Sequence, residues 1–162
     1  MAKELQERKK IRLKGYDYSK AGYYHITICV KDRHEMLGSI DVGTNCVRPH
    51  LSEYGKIIEK EITVLSETYD NVKVDKYVIM PNHIHMIIAI ETDNSGRTQF
   101  VPTVSRIIKQ FKGSITKQIG FSLWQSRFHD EIIRNEEAYK KIWQYIDSNP
   151  DRWLEDDYYF NK

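Results

Sequence analysis

The stretch VIMPNHIHMIIAI, from Val78 to Ile90, holds two histidines one residue apart inside an otherwise apolar run. Because a β-strand sends successive side chains to opposite faces, His83 and His85 would share one face while Ile84 and Met86 share the other. The Cα atoms of the two histidines would then lie about 7 Å apart, so that both imidazoles can reach one metal ion. Paired histidines are also common on solvated strands, and the pattern alone leaves both interpretations open.

Three further segments are rich in β-branched and aromatic residues and are predicted to be strands. The one that precedes the histidine strand is separated from it only by Pro81 and Asn82, and so short a connection favours antiparallel pairing. The four predicted strands are Gly22–Val30, Val72–Met80, His83–Ile90 and Ser122–Ile133.

Three segments repeat apolar residues at helical spacing and are predicted to be helices. The first follows a candidate N-cap at Ser52. The second runs from Val104 to Ile119 and stops at Gly120. The third follows a candidate N-cap at Asn135 and should end before Pro150, which disfavours helical geometry in the residue before it. Its predicted buried stripe consists of Tyr139, Ile142, Trp143 and Ile146.

Strands and helices therefore alternate as β-α-β-β-α-β, followed by the third helix. This order is typical of an α+β fold with a ferredoxin-like antiparallel sheet and helices packed on one face. The opposite face would remain open, and His83 and His85 would lie on it. We expect one domain over residues 1–162, with a basic N-terminal arm over residues 1–20.

The bulk composition fits an ordinary soluble domain. The chain has 162 residues, of which 40% are hydrophobic and 30% are charged, with only 4 prolines and 8 glycines, which argues against disorder. Neither a signal peptide nor a run of membrane-spanning length is visible, so we expect a cytoplasmic protein without membrane contact. Cys29 and Cys46 lack the spacing of a metal or disulfide motif and are predicted to be reduced bystander thiols.

The net charge of +2 conceals an uneven distribution of charge. No acidic residue occurs between Arg97 and Arg127, and the N-terminal arm is basic as well. Such segments favour binding to phosphates, although solvated lysines that keep a helix soluble give the same pattern. The candidate phosphate-binding residues are Arg8, Lys9, Lys10, Arg12, Lys14, Arg106, Lys109, Lys112, Lys117 and Arg127.

Tyr145 and Asn149 stand four residues apart near the end of the third helix and share a face turned away from its apolar stripe. The chain has 11 tyrosines, so composition alone does not distinguish Tyr145 from a half-buried aromatic with its hydroxyl in water.

Four stretches of the sequence together resemble the REP-associated tyrosine transposases, which are relatives of the smallest insertion-sequence transposases among the single-tyrosine HUH nucleases. The resemblance covers most of the chain. Its motifs are IRLKGYDYS (11–19), YVIMPNHIHMII (77–88), WQSRFHDEIIRNEE (124–137) and YIDSNP (145–150).

The resemblance implies that His83 and His85 bind a divalent metal, that Asn149 completes the metal site and that Tyr145 is the nucleophile. Mg²⁺ prefers oxygen ligands and imidazole suits Mn²⁺, so either ion would serve. The resemblance further implies metal-dependent cleavage and joining of single-stranded, hairpin-containing DNA through a covalent 5′-phosphotyrosine. One departure is Glu131, where relatives often have a histidine; His129 lies nearby.

Two other functions would also use parts of this pattern. A histidine-triad phosphohydrolase needs a third histidine at the next alternate position, which is Ile87 here. A nucleic-acid-binding protein of the same fold without catalysis would keep the basic segments but would not need the set of His83, His85, Tyr145 and Asn149. The sequence leaves open whether the protein is a monomer or a homodimer.

Overall fold

A four-stranded antiparallel sheet carries the fold. The computed structural model describes residues 16–18, 20–43, 47–92 and 101–159. In chain order the elements are β1 (Gly22–Cys29), β2 (Gly38–Ser39), β3 (His50–Leu51), α1 (Glu53–Thr68), β4 (Val72–Ile79), β5 (His83–Ile90), α2 (Val104–Ile119), β6 (His129–Ile133) and α3 (Glu136–Ser148). The sheet order is β4-β5-β1-β6, and β2 pairs separately with β3.

The predicted ferredoxin-like sheet is confirmed. β4 and β5 pair in antiparallel fashion across Pro81 and Asn82, as the short connection predicted, and β1 lies between β5 and β6. α1 and α3 begin after their predicted N-caps: the side chains of Ser52 and Asn135 accept hydrogen bonds from the backbone nitrogens of Gly55 and Ala138. α2 begins after Thr103, for which no N-cap was predicted.

The main hydrophobic core lies between one face of the sheet and two helices. Ile26 of β1 and Met86 of β5 are fully buried there, together with Ile58 of α1 and Ile108 of α2. Along β1, residues that face this core, such as Ile26, alternate with residues that face the other side of the sheet, because the pleat sends every second side chain to the core.

The third helix lies on the opposite face of the sheet, and the prediction of an open face there is wrong. A second, smaller hydrophobic cluster joins Ile146 of α3 to Ile87 of β5 and Ile133 of β6. Because α3 and the segment after it cover this face, His83 and His85 are only 0% and 2% exposed. Apolar residues beside the histidines made this face suitable for a helix, but periodicity alone does not reveal which face a helix covers.

The last strand is shorter than predicted. β6 covers only His129–Ile133, which pair with Tyr23–Thr27 of β1. The first half of the predicted strand makes a single isolated bridge, between Trp124 and Val30.

Trp143 was predicted to belong to the buried stripe of α3, and this is wrong. The indole is 37% exposed, and the Lys76 ammonium lies 3.8 Å from its ring centroid. The same ammonium forms an ion pair of 2.6 Å with Asp147, so a cation and not the core covers this aromatic face.

Several predictions fall outside the described residues, among them Cys46 and the arm residues Arg8, Lys9, Lys10, Arg12 and Lys14. Cys29 is a free thiol. Within the part of the chain that the structure describes, no helix is both long and apolar enough to cross a membrane.

Candidate metal and nucleophile site

His83 and His85 point to the same face of β5 and converge. Their Nε2 atoms lie 3.1 Å apart, close to the separation of about 3.0 Å between neighbouring ligands of an octahedral ion bound at about 2.1 Å. Burial lowers the pKa of His83 to about 3, and the positive charge of Arg33 acts in the same direction. Burial also lowers the pKa of His85 well below its ordinary value, and His83 and His25 add to this effect. Both imidazoles are therefore neutral near pH 7, as metal binding requires.

Asn82 determines which nitrogen of His83 carries the proton. The Asn82 amide nitrogen donates to the carbonyl oxygens of Arg33 and Tyr158, at 3.2 and 2.7 Å, so its Oδ1 must face the imidazole as an acceptor. His83 Nδ1, 2.8 Å from that oxygen, is then the donor. The Nε2 lone pair is left free and points toward His85, which suits a metal ligand.

Two residues of β1 lie beside the other nitrogen of His85. Thr27 Oγ1 is 2.9 Å and His25 Nε2 is 3.2 Å from His85 Nδ1. When Nδ1–H donates to the threonine hydroxyl, the Nε2 lone pair of His85 faces the same space as that of His83. The other nitrogen of His25, Nδ1, lies 3.8 Å from a carboxylate oxygen of Glu131.

Two buried oxygen atoms without hydrogen-bond partners stand near the histidines. They are Asn149 Oδ1 and Asp156 Oδ2. Asp156 Oδ2 lies 3.8 Å from His83 Nε2, and one ligand atom each from His83, His85 and Asp156 fall within 4.8 Å of one another. Asn149 is 4% exposed, and its amide influences the pKa values of His83, Tyr145 and Asp156, so it lies among them. Imidazole nitrogens together with hard oxygens fit Mg²⁺ or Mn²⁺.

Tyr145 lies over the histidines at the open side of this group. Its ring centroid is 5.2 Å from that of His85 and 6.2 Å from that of His25, in edge-on geometry. The side chain is 44% exposed and accessible to a ligand. Its pKa is raised, first by burial and second by the negative charge of Asp156, while the Asn149 side chain lowers it. The phenol therefore stays protonated near neutral pH.

A cleft of about 160 Å³ opens beside Tyr145. The end of α3 forms one wall and a 3-10 turn over Pro150–Glu155 forms the other. Its lining residues are Tyr145, Ser148, Asn149, Arg152, Glu155, Asp156 and Asp157. Three of these residues are acidic and Arg152 is basic, so the lining of the cleft is acidic on balance.

A second tyrosine stands close to the same group. The Tyr158 ring centroid is 4.4 Å from that of His83 and 6.0 Å from that of His85. Burial raises its pKa to about 12, and Tyr158 is less exposed than Tyr145. Geometry alone thus offers two phenols, of which Tyr145 is the more accessible.

The predicted basic residues of α2 lie away from this group, since α2 packs on the opposite face of the sheet. Arg106, Lys109 and Lys117 are exposed there, and Arg127 is exposed in the loop before β6. Lys112 differs, because its ammonium donates to the carbonyl oxygen of Gln125 at 2.6 Å and is partly buried. The basic residues of α2 and the histidines therefore do not face one common surface.

Arg33 and Asp156 were not predicted as site residues. The Arg33 guanidinium lies 5.4 Å from the centroid of the Tyr158 ring, so it borders the site, as Arg152 does in the cleft beside Tyr145. Neither residue belongs to a periodic pattern, because both stand on irregular segments. His25 and Thr27 carry a detectable signal, since alternation along β1 places them on one face and the pairing register sets Thr27 opposite His85.

Comparisons with known proteins identify the family and the fold. A family profile described as "Transposase IS200 like" matches residues 18–149. A protein of Haemophilus influenzae without an assigned function is 32% identical over 96% of this chain and 94% of its own length. A second protein of that organism, provisionally named a REP-associated tyrosine transposase, is 24% identical over 83% of this chain and 73% of its own.

Two solved structures share the fold. One is a REP-associated tyrosine transposase bound to a REP hairpin, with a TM-score of 0.60 and 23% identity over 83% of this chain and 70% of that one. The other is a provisionally named transposase of Deinococcus radiodurans, with a TM-score of 0.50 and 17% identity over 85% of this chain and 95% of that one.

The fold and the family profile place the chain among the small transposases, a class of DNA-processing proteins. The chain belongs to the IS200-like transposase family, since the profile spans most of its length. The resemblance drawn from the four sequence motifs is thereby confirmed.

Proposed function

We propose that the protein is a metal-dependent nuclease and strand transferase for single-stranded, hairpin-containing DNA that acts through a covalent 5′-phosphotyrosine on Tyr145. The observation that carries the proposal is the meeting of an accessible phenol with two converging imidazoles, 5.2 Å from one of them between ring centroids. A protein that only binds DNA has no need for this convergence.

His83, His85 and Asn149 are the residues that would hold a divalent cation, Mg²⁺ or Mn²⁺, through two nitrogens and one amide oxygen. When bound, such an ion polarises a phosphodiester and neutralises charge that develops on its oxygens. Asn82 and Thr27 orient the two imidazoles so that their lone pairs face inward.

Tyr145 would attack the phosphorus of the scissile phosphodiester. The Tyr145 Oη–P bond forms as the P–O3′ bond breaks, and the phenol proton is transferred, in the net reaction, to the leaving 3′ oxygen. The phosphotyrosine retains the energy of the broken bond, so a different 3′-hydroxyl can reverse the reaction and join strands without ATP. Because Tyr145 and both histidines come from one chain, the proposal does not require a second copy.

Hairpin DNA is the proposed partner because one structural relative is described in complex with a REP hairpin. Arg33 borders the site; one of its guanidinium nitrogens donates to the Asp157 carbonyl oxygen, and its remaining N–H groups would contact the phosphate next to the scissile one. The exposed Arg106, Lys109 and Lys117 would bind a more distant part of the same DNA that reaches the other face of the sheet. Lys112 is less suited to this role, because its ammonium is already bound to a backbone carbonyl.

Adduct formation tests the nucleophile. Labelled single-stranded DNA that contains a REP-like hairpin is incubated with the protein and Mn²⁺, and covalent products are resolved on a denaturing gel. We expect Tyr145→Phe to form no adduct while binding DNA as well as the wild type. Tyr158→Phe is the matched control and should retain the adduct. An adduct in Tyr145→Phe and none in Tyr158→Phe would transfer the role to Tyr158.

A protein that binds DNA without cutting it is the second candidate. The acidic lining of the cleft beside Tyr145 favours it, because Glu155, Asp156 and Asp157 outnumber Arg152 and repel an entering phosphate. The absence of any adduct with wild-type protein, with hairpin binding retained, would support this candidate over the proposed enzyme.

A further inference from the structure

Asp156 is the buried acidic group nearest to the two histidines. Its side chain is only 3% exposed. One carboxylate oxygen, Oδ1, accepts a hydrogen bond of 2.8 Å from the backbone nitrogen of Tyr158. The other, Oδ2, is buried without any hydrogen-bond partner and lies 3.8 Å from His83 Nε2. A carboxylate oxygen in such a place is costly unless a cation or a donor satisfies it.

Burial raises the pKa of Asp156 and the Asn149 side chain lowers it, but Oδ2 itself has no hydrogen-bond partner, and neither Arg33 nor His83 supplies one. The Arg33 guanidinium donates instead to the carbonyl oxygen of Asp157, at 3.3 Å. His83 directs its proton toward Asn82, so the nitrogen that faces Asp156 is a lone pair. Two lone pairs at 3.8 Å repel each other, and a cation between them removes the repulsion.

Resting on the proposed function, we propose that Asp156 is a displaceable ligand of the divalent cation. In the DNA-free protein its carboxylate would join His83 and His85 on the ion and occupy the position that a phosphate oxygen of the substrate takes. Carboxylate and phosphate oxygens are both hard anionic ligands, so they compete for one position. The backbone of the DNA must then displace this side chain before Tyr145 can react.

The surroundings of Asp156 fit a ligand that can leave. The residue follows the short 3-10 turn Pro150–Glu155, and its backbone nitrogen donates to the Trp153 carbonyl oxygen at 3.2 Å. The buried indole of Trp153 holds this turn in place. The Asp156 side chain can therefore rotate outward while the turn and α3 stay folded. Glu155 and Asp157 flank Asp156, so an arriving phosphate must overcome their charge as well.

Titration of the metal-free protein with Mn²⁺ by calorimetry, without DNA, tests the proposal. Asp156→Asn keeps the shape of the side chain and removes its charge, and Asp157→Asn is the matched control on the exposed neighbour. We expect Asp156→Asn to weaken Mn²⁺ binding by roughly ten- to a hundredfold, as loss of a supporting group at a metal site does, and Asp157→Asn to change it less than about twofold.

The adduct assay at saturating Mn²⁺ tests whether the ligand leaves. Asp156→Asn should form the Tyr145 adduct at least as fast as the wild type, because no carboxylate then competes with the phosphate. Loss of the adduct at saturating metal would show that Asp156 is required during cleavage and would overturn its role as a displaceable ligand.

His83→Ala separates the two proposals. If it abolishes Mn²⁺ binding while Asp156→Asn binds like the wild type, the metal site stands and the role of Asp156 is overturned. If neither substitution changes Mn²⁺ binding, the metal site itself is wrong. Thermal melting of each variant without metal checks that the fold is retained, since neither substitution touches the main core.

Discussion

Replacement of Ile146 by alanine should disconnect the nucleophile from the sheet. Ile146 is fully buried in the small cluster with Ile87 and Ile133. Between Glu136 and Ser148 of α3, it is the one buried residue. Tyr145 precedes it and Asn149 follows one turn later. The packing of Ile146 on the sheet therefore positions both Tyr145 and Asn149.

The magnitude follows from burial. Ile→Ala in a core costs about 2–5 kcal/mol, and each kcal/mol shifts the melting temperature by about 2–4 °C in a domain of this size. A global loss would thus lower it by roughly 4–20 °C. Because the main core remains intact, part of the loss should instead appear as local opening of α3, with the sheet, α1 and α2 still folded.

The matched control is Ile58→Ala in α1, which removes the same atoms from an equally buried position in the main core. Melting curves should show comparable or larger destabilisation for this control. At a temperature where both variants are folded, adduct formation should fall at least tenfold more in Ile146→Ala than in Ile58→Ala. Equal losses of adduct in the two variants would refute the idea that docking of α3 positions Tyr145.

Three further predictions concern other parts of the molecule. Gly55→Ala should destabilise the protein by about 1–3 kcal/mol in urea unfolding, because a Cβ there would lie 2.2 Å from a backbone carbonyl oxygen; Gly113→Ala, with open space around it, should be neutral or stabilising, and the reverse order would contradict the packing of α1. Unfolding of the metal-free protein should become easier as the pH falls from about 6.5 toward 3, because the pKa of His83 is about 3 in the fold and the unfolded chain binds that proton more tightly. The slope should approach about 1.4 kcal/mol per pH unit for this group and flatten in His83→Gln; an unchanged slope would show that His83 is not buried in its neutral form. Thr27→Val should weaken Mn²⁺ binding by roughly tenfold in calorimetry while melting stays near the wild type, because His85 loses the hydroxyl beside Nδ1; undiminished affinity would mean that His25 alone orients the ring.

Much of the fold could be predicted from local pattern. The bounds of α2 and β5 agree with the sequence. Thr103 and Gly120 flank a segment with strong helical periodicity, and Asn82 precedes a run with strand character. The placement of α3 could not be predicted, since an apolar stripe shows that a helix is buried but does not show against which face. The exposure of Trp143 has the same origin, because it depends on a lysine of a distant strand.

The site was predictable only in part. Strand alternation brings His83 and His85 together, and helical spacing does the same for Tyr145 and Asn149, but only the resemblance joined the two pairs. Asp156 was missed because its position depends on a short turn after α3, and no periodicity determines where such a turn sends a side chain.

Strand β1, one of the two inner strands of the sheet, contributes side chains both to the main core and to the candidate site. Ile26 and Ile28 face the main core, while His25 and Thr27 face the histidines of β5. Insertion or deletion of a single residue in this strand would exchange the two sets, so that a threonine met the core and an isoleucine met the imidazoles. Natural length variation in this strand should therefore come in steps of two residues, or be confined to its ends.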